Sequence, residues 1–424
     1  MLLVTLLVVA VASSIFSAVA AGGGGTDFTS ISALQTLYST CNGLNWLWLD
    51  DSLFGPVWNF TMANSSDGSN SFLKDPCCTS NMTGTDTDNS SWVAWQGVTC
   101  SASPLACLSQ SCQIVELNLP GYHLVGSLPA SLSALTGLHT LGLQQNELTG
   151  TLSSTLCSLT SLTHLNLHHN SLSGSIPLDI TRLSLLHDLV LYNNDLTGTI
   201  SDSMHVLATS LVNLNIEWNS LTGTLPPSLG QLSRLQQLWV YHNQLSGTIP
   251  SELGLLSELN YFWVNDNFLS GTLPPSLGNL SSLVYCCIDH NQLHGPLPPE
   301  LGQLEKLRTV HFDVNLLSGP VPPQMGQLTS VRFFSIIDND LSGSLPSSLL
   351  DRLEFLNTFL LQGNQLTGPL DDVFVPTSST FPSALQALQR VDLSNNVCLS
   401  AVCSLLPALC FFFYPCVPIL LTMT

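Results

Sequence analysis

Residues Leu138 to Ser161 read LHTLGLQQNELTGTLSSTLCSLTS, and Leu162 to Leu185 read LTHLNLHHNSLSGSIPLDITRLSL; the second stretch repeats the first column by column. The pattern continues to Asn364. Its asparagines fall at Asn146, Asn170, Asn194, Asn219, Asn243, Asn267, Asn291, Asn315, Asn339 and Asn364, in steps of 24 or 25 residues. A glycine column from Gly150 to Gly368 keeps the same rhythm. A fixed period in this range is the signature of a stacked solenoid.

The physics of one repeat explains its lettering. In segments such as Leu165-Asn166-Leu167, alternation at period two puts the leucines inside a short strand and the intervening residue outside. After the strand the chain must turn, and a buried turn leaves backbone groups without partners unless a short amide side chain supplies them. The asparagine column is assigned that task. Gly-x-Leu/Ile-Pro then reverses the chain, as at Ile176-Pro177, Leu225-Pro226 and Ile249-Pro250. A lone repeat cannot bury its leucines, whereas a stack of repeats builds one continuous core.

The run LxxLxxLxLxxNxLxGxIPxxLGxL resembles the plant-type leucine-rich repeat of receptor-like kinase and receptor-like protein ectodomains and of polygalacturonase-inhibiting proteins. The likeness covers about Ile114 to Asn396. It implies an α/β repeat fold: a right-handed solenoid of about twelve repeats with a parallel β-sheet on its concave face and a disulfide-stapled amino-terminal cap. One scaffold of this kind serves many ligands, so the resemblance specifies fold more sharply than function. Departures are few. Tyr122 stands where the first asparagine belongs, Ser153, Ser201 and Asp371 replace the proline, and Asp371 to Thr380 is inserted before Asn396.

The domain organisation follows as residues 1–20 signal peptide, 21–113 cysteine-rich glycosylated cap, 114–396 solenoid and 397–424 carboxyl-terminal cap and apolar tail. The opening MLLVTLLVVAVASSIFSAVA is apolar for too short a run to favour a membrane span and ends in the small-x-small pattern Ala18-Val19-Ala20. With 8 Lys+Arg against 28 Asp+Glu, the formal net charge is -20. Such a surface repels phosphate backbones and anionic lipid, which excludes nucleic acid and argues against electrostatic membrane docking.

Thirteen cysteines in a secreted chain point to disulfides at the solenoid ends. Cys41, Cys77, Cys78, Cys100, Cys107 and Cys112 precede the repeats, and Cys398, Cys403, Cys410 and Cys416 follow them. Cys157 and Cys286 take inward positions and read as small hydrophobes. No CxxC pair with a matching histidine occurs, so no zinc site is assigned on spacing. Phe28, Ile31, Leu34, Leu37 and Tyr38 share one helical face behind a capping Asp27, which predicts a helix over the first repeat. Asp75-Pro76-Cys77 and Trp95-Gln96-Gly97-Val98-Thr99-Cys100 are similar to the family's cap motifs, and that resemblance implies a bridge from Cys77 or Cys78 to Cys100. Sequons at Asn59, Asn64, Asn81, Asn89 and Asn279 are candidate glycosylation sites, the last on the outer side of the solenoid.

Equivalent positions on neighbouring strands lie ~4.8 Å apart, so about twelve strands give a face roughly 50 Å long. Three columns line it. One reads Gly142, Asn166, Val190, Asn215, Trp239, Trp263, Cys287, His311, Ser335; the next reads Gln144, His168, Tyr192, Glu217, Tyr241, Asn265, Asp289, Asp313, Ile337; the third reads Gln145, His169, Asn193, Trp218, His242, Asp266, His290, Val314, Asp338. The candidate ligand-binding residues are Tyr192, Glu217, Trp218, Trp239, Tyr241, His242, Tyr261, Trp263, Asp266, Asp289, His311 and Asp313, with Tyr285 beside them. Exposed aromatics next to carboxylates suit stacking on sugar faces and anchoring of peptides alike. Aromatics also pave wide strand surfaces without any ligand.

Catalysis is weighed separately. Glu217, Asp289 and Asp313 are carboxylates of the kind glycosidases pair, and Asp289, His290, His311 and Asp313 are metal-ligand types. A smooth sheet is expected to leave them solvated, without an enclosing pocket to shift their pKa values. His168-His169 reads as a solvated pair. No Gly-x-Ser-x-Gly, phosphate loop or HExxH motif occurs. The chain is therefore read as no enzyme, with no catalytic residues, no cofactor and no metal.

The tail from Leu405 to Leu421 is apolar, carries Pro407, Pro415 and Pro418, and is followed by no Lys or Arg. Membrane attachment through this tail and a simple buried end both fit it, and Ser394 to Asn396 offer small residues for a lipid-anchor signal. The sequence thus describes an extracellular or cell-surface recognition protein binding a peptide, protein or glycan ligand. A secreted inhibitor of wall-degrading enzymes and a structural matrix protein are its alternatives. No kinase follows the repeats, so a receptor of this kind needs a signalling co-receptor.

Overall fold

The computed structural model of the protein describes residues 28–41, 79–80, 92–93, 98–101, 113–374, 387–400 and 420–422. Its main sheet has 14 strands: β1 (Val98–Cys100), β2 (Ile114–Asn118), β3 (Thr140–Gly142), β4 (His164–Asn166), β5 (Asp188–Val190), β6 (Asn213–Asn215), β7 (Gln237–Trp239), β8 (Tyr261–Trp263), β9 (Tyr285–Cys287), β10 (Thr309–His311), β11 (Phe333–Ser335), β12 (Thr358–Leu360), β13 (Arg390–Asp392) and β14 (Leu420–Thr422). From β2 to β13 the strands are parallel and lie in chain order, the arrangement expected of twelve stacked repeats. β1 and β14 pair antiparallel at the two ends.

Register is fixed by the leucines. Leu189 pairs with Leu165 on one side and Leu214 on the other, and all three are fully buried. A slip of one residue would turn a whole leucine set to solvent. These residues form one hydrophobic cluster along the stack, widened by Phe262, Phe312, Phe334 and Phe359 toward its carboxyl end.

Most crossovers carry a second short strand and a single five- or six-residue 3-10 turn, such as Ser171–Ser175 followed by Leu178–Arg182; the crossover after Asn215 keeps only isolated bridges in place of the strand, and the one after Leu360 carries the short α-helix Asp371–Phe374 in place of the 3-10 turn. Few residues separate the proline from the next core leucine, which leaves no room for a longer helix. Proline enters the turn with φ near its ring-fixed value, for example -66° at Pro177. Ser153 and Ser201, which replace it, reach φ of -69° and -71°, and their hydroxyls accept hydrogen bonds from the Thr155 and Ser203 amides. A side-chain cap thus substitutes for the ring. Gly254 shows how tightly the turns stack: a Cβ there would lie 2.3 Å from the Ser276 carbonyl oxygen of the next coil.

The asparagines supply the turn. Asn243 donates to the carbonyls of Ile216, Val240 and Tyr241 at 3.1, 3.1 and 3.2 Å and accepts from the Leu221 amide at 2.9 Å. The pattern of donation into its own and the preceding coil recurs from Asn146 to Asn396. The residue just before each asparagine sits in the left-handed region, with φ of 51° at Trp218 and at Val314. The third column of the face is therefore a row of corners, not of flat strand positions.

At the amino end, α1 (Phe28–Thr40) buries Ala33, Leu34 and Leu37, and the Cys41 carbonyl accepts from the Val125 amide at 3.2 Å. This is the predicted cover over the first coil. Tyr122 is buried in place of the missing asparagine, and Cys157 and Cys286 are buried as read. Asn279 ends an outer turn and is exposed. Cys100 is disulfide-bonded. Residues 1–20, Asn59, Asn64, Asn81, Asn89, Cys77, Cys78, Cys107, Cys112, Cys403 and residues 401–419 lie outside the described segments, as does the Cys398 side chain. Among the described residues no helix is long and apolar enough to cross a membrane.

Replacing Asn267 by Ala should lower stability by about 3 kcal/mol or more, because three carbonyls and one amide lose buried partners. The exposed Asn279→Ala should change it by no more than ~0.5 kcal/mol. Urea denaturation of the two variants beside the wild type checks the difference.

Candidate functional site

Strand register places the face aromatics in contact. Trp239 pairs with Trp263, and their rings stack with centroids 4.8 Å apart at 12°. Tyr261 pairs with Tyr285 and stacks at 5.0 Å and 6°. Tyr241 meets Trp263 edge-on at 5.7 Å. Trp218 leans over His242 at 3.8 Å, and His168 stacks on Tyr192 at 4.3 Å. Tyr192, Tyr241, Tyr261, Trp263, Trp239 and Tyr285 are consequently half-buried by one another, where free exposure was expected. Trp218, on its left-handed corner, is 51% exposed.

The carboxylates of this face are not solvated. Glu217, Asp289 and Asp313, expected in solvent on an open sheet, are instead buried, at 2%, 4% and 8% exposure. Tyr192 and Tyr241 flank Glu217 from the adjacent coils, while Asp289 and Asp313 lie among His290, His311 and Ser335. Burial raises Glu217 to about 7, its own backbone amide lowering it only in part. Burial, and then the Glu217 charge, raises Tyr192 and Tyr241. His168 is likewise no solvated histidine: burial, with the His169 charge, pulls it down to about 4.

The other acidic residues are held differently. His311 Nε2 donates to Asp313 Oδ2 at 3.0 Å, and Asp313 also accepts from Ser335 Oγ at 2.7 Å and the Ile337 amide at 2.8 Å. Asp289 Oδ2 accepts from His290 Nδ1 at 3.0 Å, while its Oδ1 lies 3.2 Å from His311 Nδ1. Burial opposes charge on His311, but hydrogen bonds to Asp313 and Cys287 and the charges of Asp289 and Asp313 win and raise it to about 10. Asp289 is raised by burial despite His311 and His290. His242 and Asp266 face each other at 3.5 Å.

Several buried polar atoms on this face make no hydrogen bond within the protein: Oε2 of Glu217, Oδ1 of Asn215, and the indole nitrogens of Trp239 and Trp263. An unsatisfied buried group costs ~1–3 kcal/mol, so these atoms await solvent or a ligand. No Lys or Arg occurs in the three face columns from Gly142 to Asp338. All twelve candidate residues share one face. Asn215, Cys287, His290 and Ser335 join them; each stood in a quoted column, but only side-chain packing shows what it contacts. The arrangement offers stacking surfaces, unpaired donors and negative charge.

The Leucine Rich Repeat family matches at residues 161–183, 210–232, 234–256 and 258–280. Among solved structures, the chain is similar to the Arabidopsis receptor kinase HAESA ectodomain in complex with a peptide hormone ligand (33% identity, 72% of this chain and 48% of that chain, TM-score 0.61). It is similar to the plant peptide hormone receptor RGFR1 in complex with RGF2 (30%, 66% and 48%, TM-score 0.58). It is also similar to a leucine-rich-repeat protein of Leptospira interrogans (30%, 66% and 67%, TM-score 0.55). The chain spans about half the length of the two plant receptor chains. No curated protein matches it in sequence.

Glu217 gives the face a pH signature. Its folded pKa is raised, so the stability it contributes is fully present below the unfolded value, near 4.5, and is lost as pH rises through about 7. Glu217→Gln should remove that fall, on the order of 3 kcal/mol between pH 4.5 and 8. Denaturant titrations of both proteins across this range measure it; parallel curves would contradict a buried, unpaired Glu217.

Proposed function

Given that the chain belongs to the plant-type leucine-rich-repeat family, we propose that it is a recognition protein that holds an extended, positively charged peptide segment along its concave face. The observation that carries this reading is the coincidence, between Tyr192 and Asp313, of stacked aromatics with buried polar atoms that lack partners. An extended backbone supplies carbonyls for the indole N–H groups of Trp239 and Trp263. Its basic side chains supply the missing donors for Glu217 and Asn215, on a face without Lys or Arg among its columns. The plant receptors resembled here are seen with peptide hormones, which supports a peptide over a glycan.

The signal-like residues 1–20 and the sequons support action outside the cell. One resembled complex pairs the receptor HAESA with a peptide hormone and the co-receptor SERK1. By the same logic a membrane-spanning partner chain carries the signal onward, and attachment through the apolar tail keeps the protein at the cell surface.

The test is fluorescence anisotropy of a library of extended peptides of graded charge with the secreted chain. Basic peptides should bind saturably and lose affinity as salt rises. The Trp239→Ala/Trp263→Ala double variant should weaken binding by roughly 1–3 kcal/mol. Equal binding of acidic and basic peptides, or equal binding by wild type and variant, would contradict the proposal, as would a preference for glycans.

A further inference from the structure

Beyond peptide recognition, and independently of it, the face holds a second set of convergent groups. Cys287, Asp289 and His311 come from β9, from the turn that follows it and from β10, and their ligand atoms all lie within 4.8 Å of one another. Register brings them together, because Cys287 pairs directly with His311 across the two strands. Thiol, carboxylate and imidazole are ligand types that together favour a borderline-soft divalent ion over calcium or magnesium. Each of the two non-thiol ligands is also held from behind. His311 gives its Nε2–H to Asp313, which Ser335 and the Ile337 amide fix in turn. Asp289 takes the His290 hydrogen bond on Oδ2, leaving Oδ1 turned inward.

The inward atoms face one another. Asp289 is 4% exposed, and its Oδ1 stands 3.2 Å from His311 Nδ1 as an ion pair, with no further hydrogen bond. Two ligand atoms of a tetrahedral site with bonds of about 2.0–2.1 Å lie ~3.3 Å apart. The pair therefore already has the separation of two ligands on one ion. A carboxylate behind a ligating histidine is the outer arrangement that orients the ring for a metal.

We propose that Cys287, Asp289 and His311 bind a zinc-type divalent ion, with Asp313 as the positioning carboxylate behind His311. Binding displaces the Cys287 thiol proton and the proton on His311 Nδ1 to solvent, and no redox step is involved. Three protein ligands leave a fourth coordination position for water or a donor atom of a ligand.

Cobalt(II), a spectroscopic stand-in for zinc, tests this on the full secreted chain with its disulfides intact and metal removed by chelator. One equivalent should bind saturably with a thiolate-to-cobalt absorption band, and zinc should displace it. Cys287→Ser should abolish the band, and His311→Ala should weaken binding at least tenfold. Asp313→Asn should keep the band but lower affinity by about 10- to 100-fold. Cys157→Ser, at a buried thiol away from the site, should behave as wild type, and circular dichroism confirms that each variant folds. Absence of a saturable equivalent in the folded wild type would overturn the site, and so would a band that survives in Cys287→Ser. Retained affinity in His311→Ala would overturn it as well.

Discussion

Everything in this molecule depends on one hydrogen-bonding device, the asparagine side chain that closes each turn after a sheet strand. A parallel strand can follow its predecessor directly only if the chain leaves the sheet, loops round and returns within about two dozen residues. The corner where it leaves is left-handed, with φ of 48° at His242 and 51° at Asp266. The amides of such a corner bond to the next coil, as His242 N does to the Asn265 carbonyl, while carbonyls such as that of Val240 take their donors from asparagine side chains. Asn243 and Asn267 supply them in two coils at once, so the amide both closes its own turn and ties it to the one before. Leucine burial gives the stack its stability, but the amides fix the spacing at which leucines meet.

That fixed spacing is why so much of the fold could be read from letters. Column membership follows from the period alone, and the pairing of Trp239 with Trp263 or of Cys287 with His311 is arithmetic once the period is known. Side-chain burial on the face is not arithmetic. It depends on the size of whatever sits one strand away, and the rings of Tyr192, Tyr241, Trp239 and Trp263 turn an open sheet into a half-closed one. Glu217 is buried for that reason, and Asp289 is buried beside His290 and His311, where the letters alone suggest solvent. Ser153 and Ser201 illustrate the reverse: each breaks the proline column, yet its hydroxyl caps the turn and leaves the coil unchanged.

The face solves the problem of buried charge in two ways. Asp313 is satisfied from within by His311, Ser335 and the Ile337 amide. Glu217, three coils from the coil of β9, leaves Oε2 without a partner and keeps its proton up to about neutral pH. A group held in that state is a poor structural choice and a good recognition element, because a cation that enters is the first partner it meets. The two ends of the same face thereby take different parts. The aromatic stretch around Glu217 is suited to an extended basic segment, and the Cys287, Asp289 and His311 end to an ion.

The central claim is that an extended basic peptide lies along successive strands between Tyr192 and Asp313. Photo-crosslinking tests it most directly, with a bound peptide carrying one photoreactive residue at successive positions and the products mapped by mass spectrometry. The contacts should advance along the chain in steps of 24 residues, from Glu217 to Tyr241, Asn265 and Asp289, as the reactive position moves. Crosslinks to the outer turns, such as Pro275–Asn279, or to α1, would contradict the account.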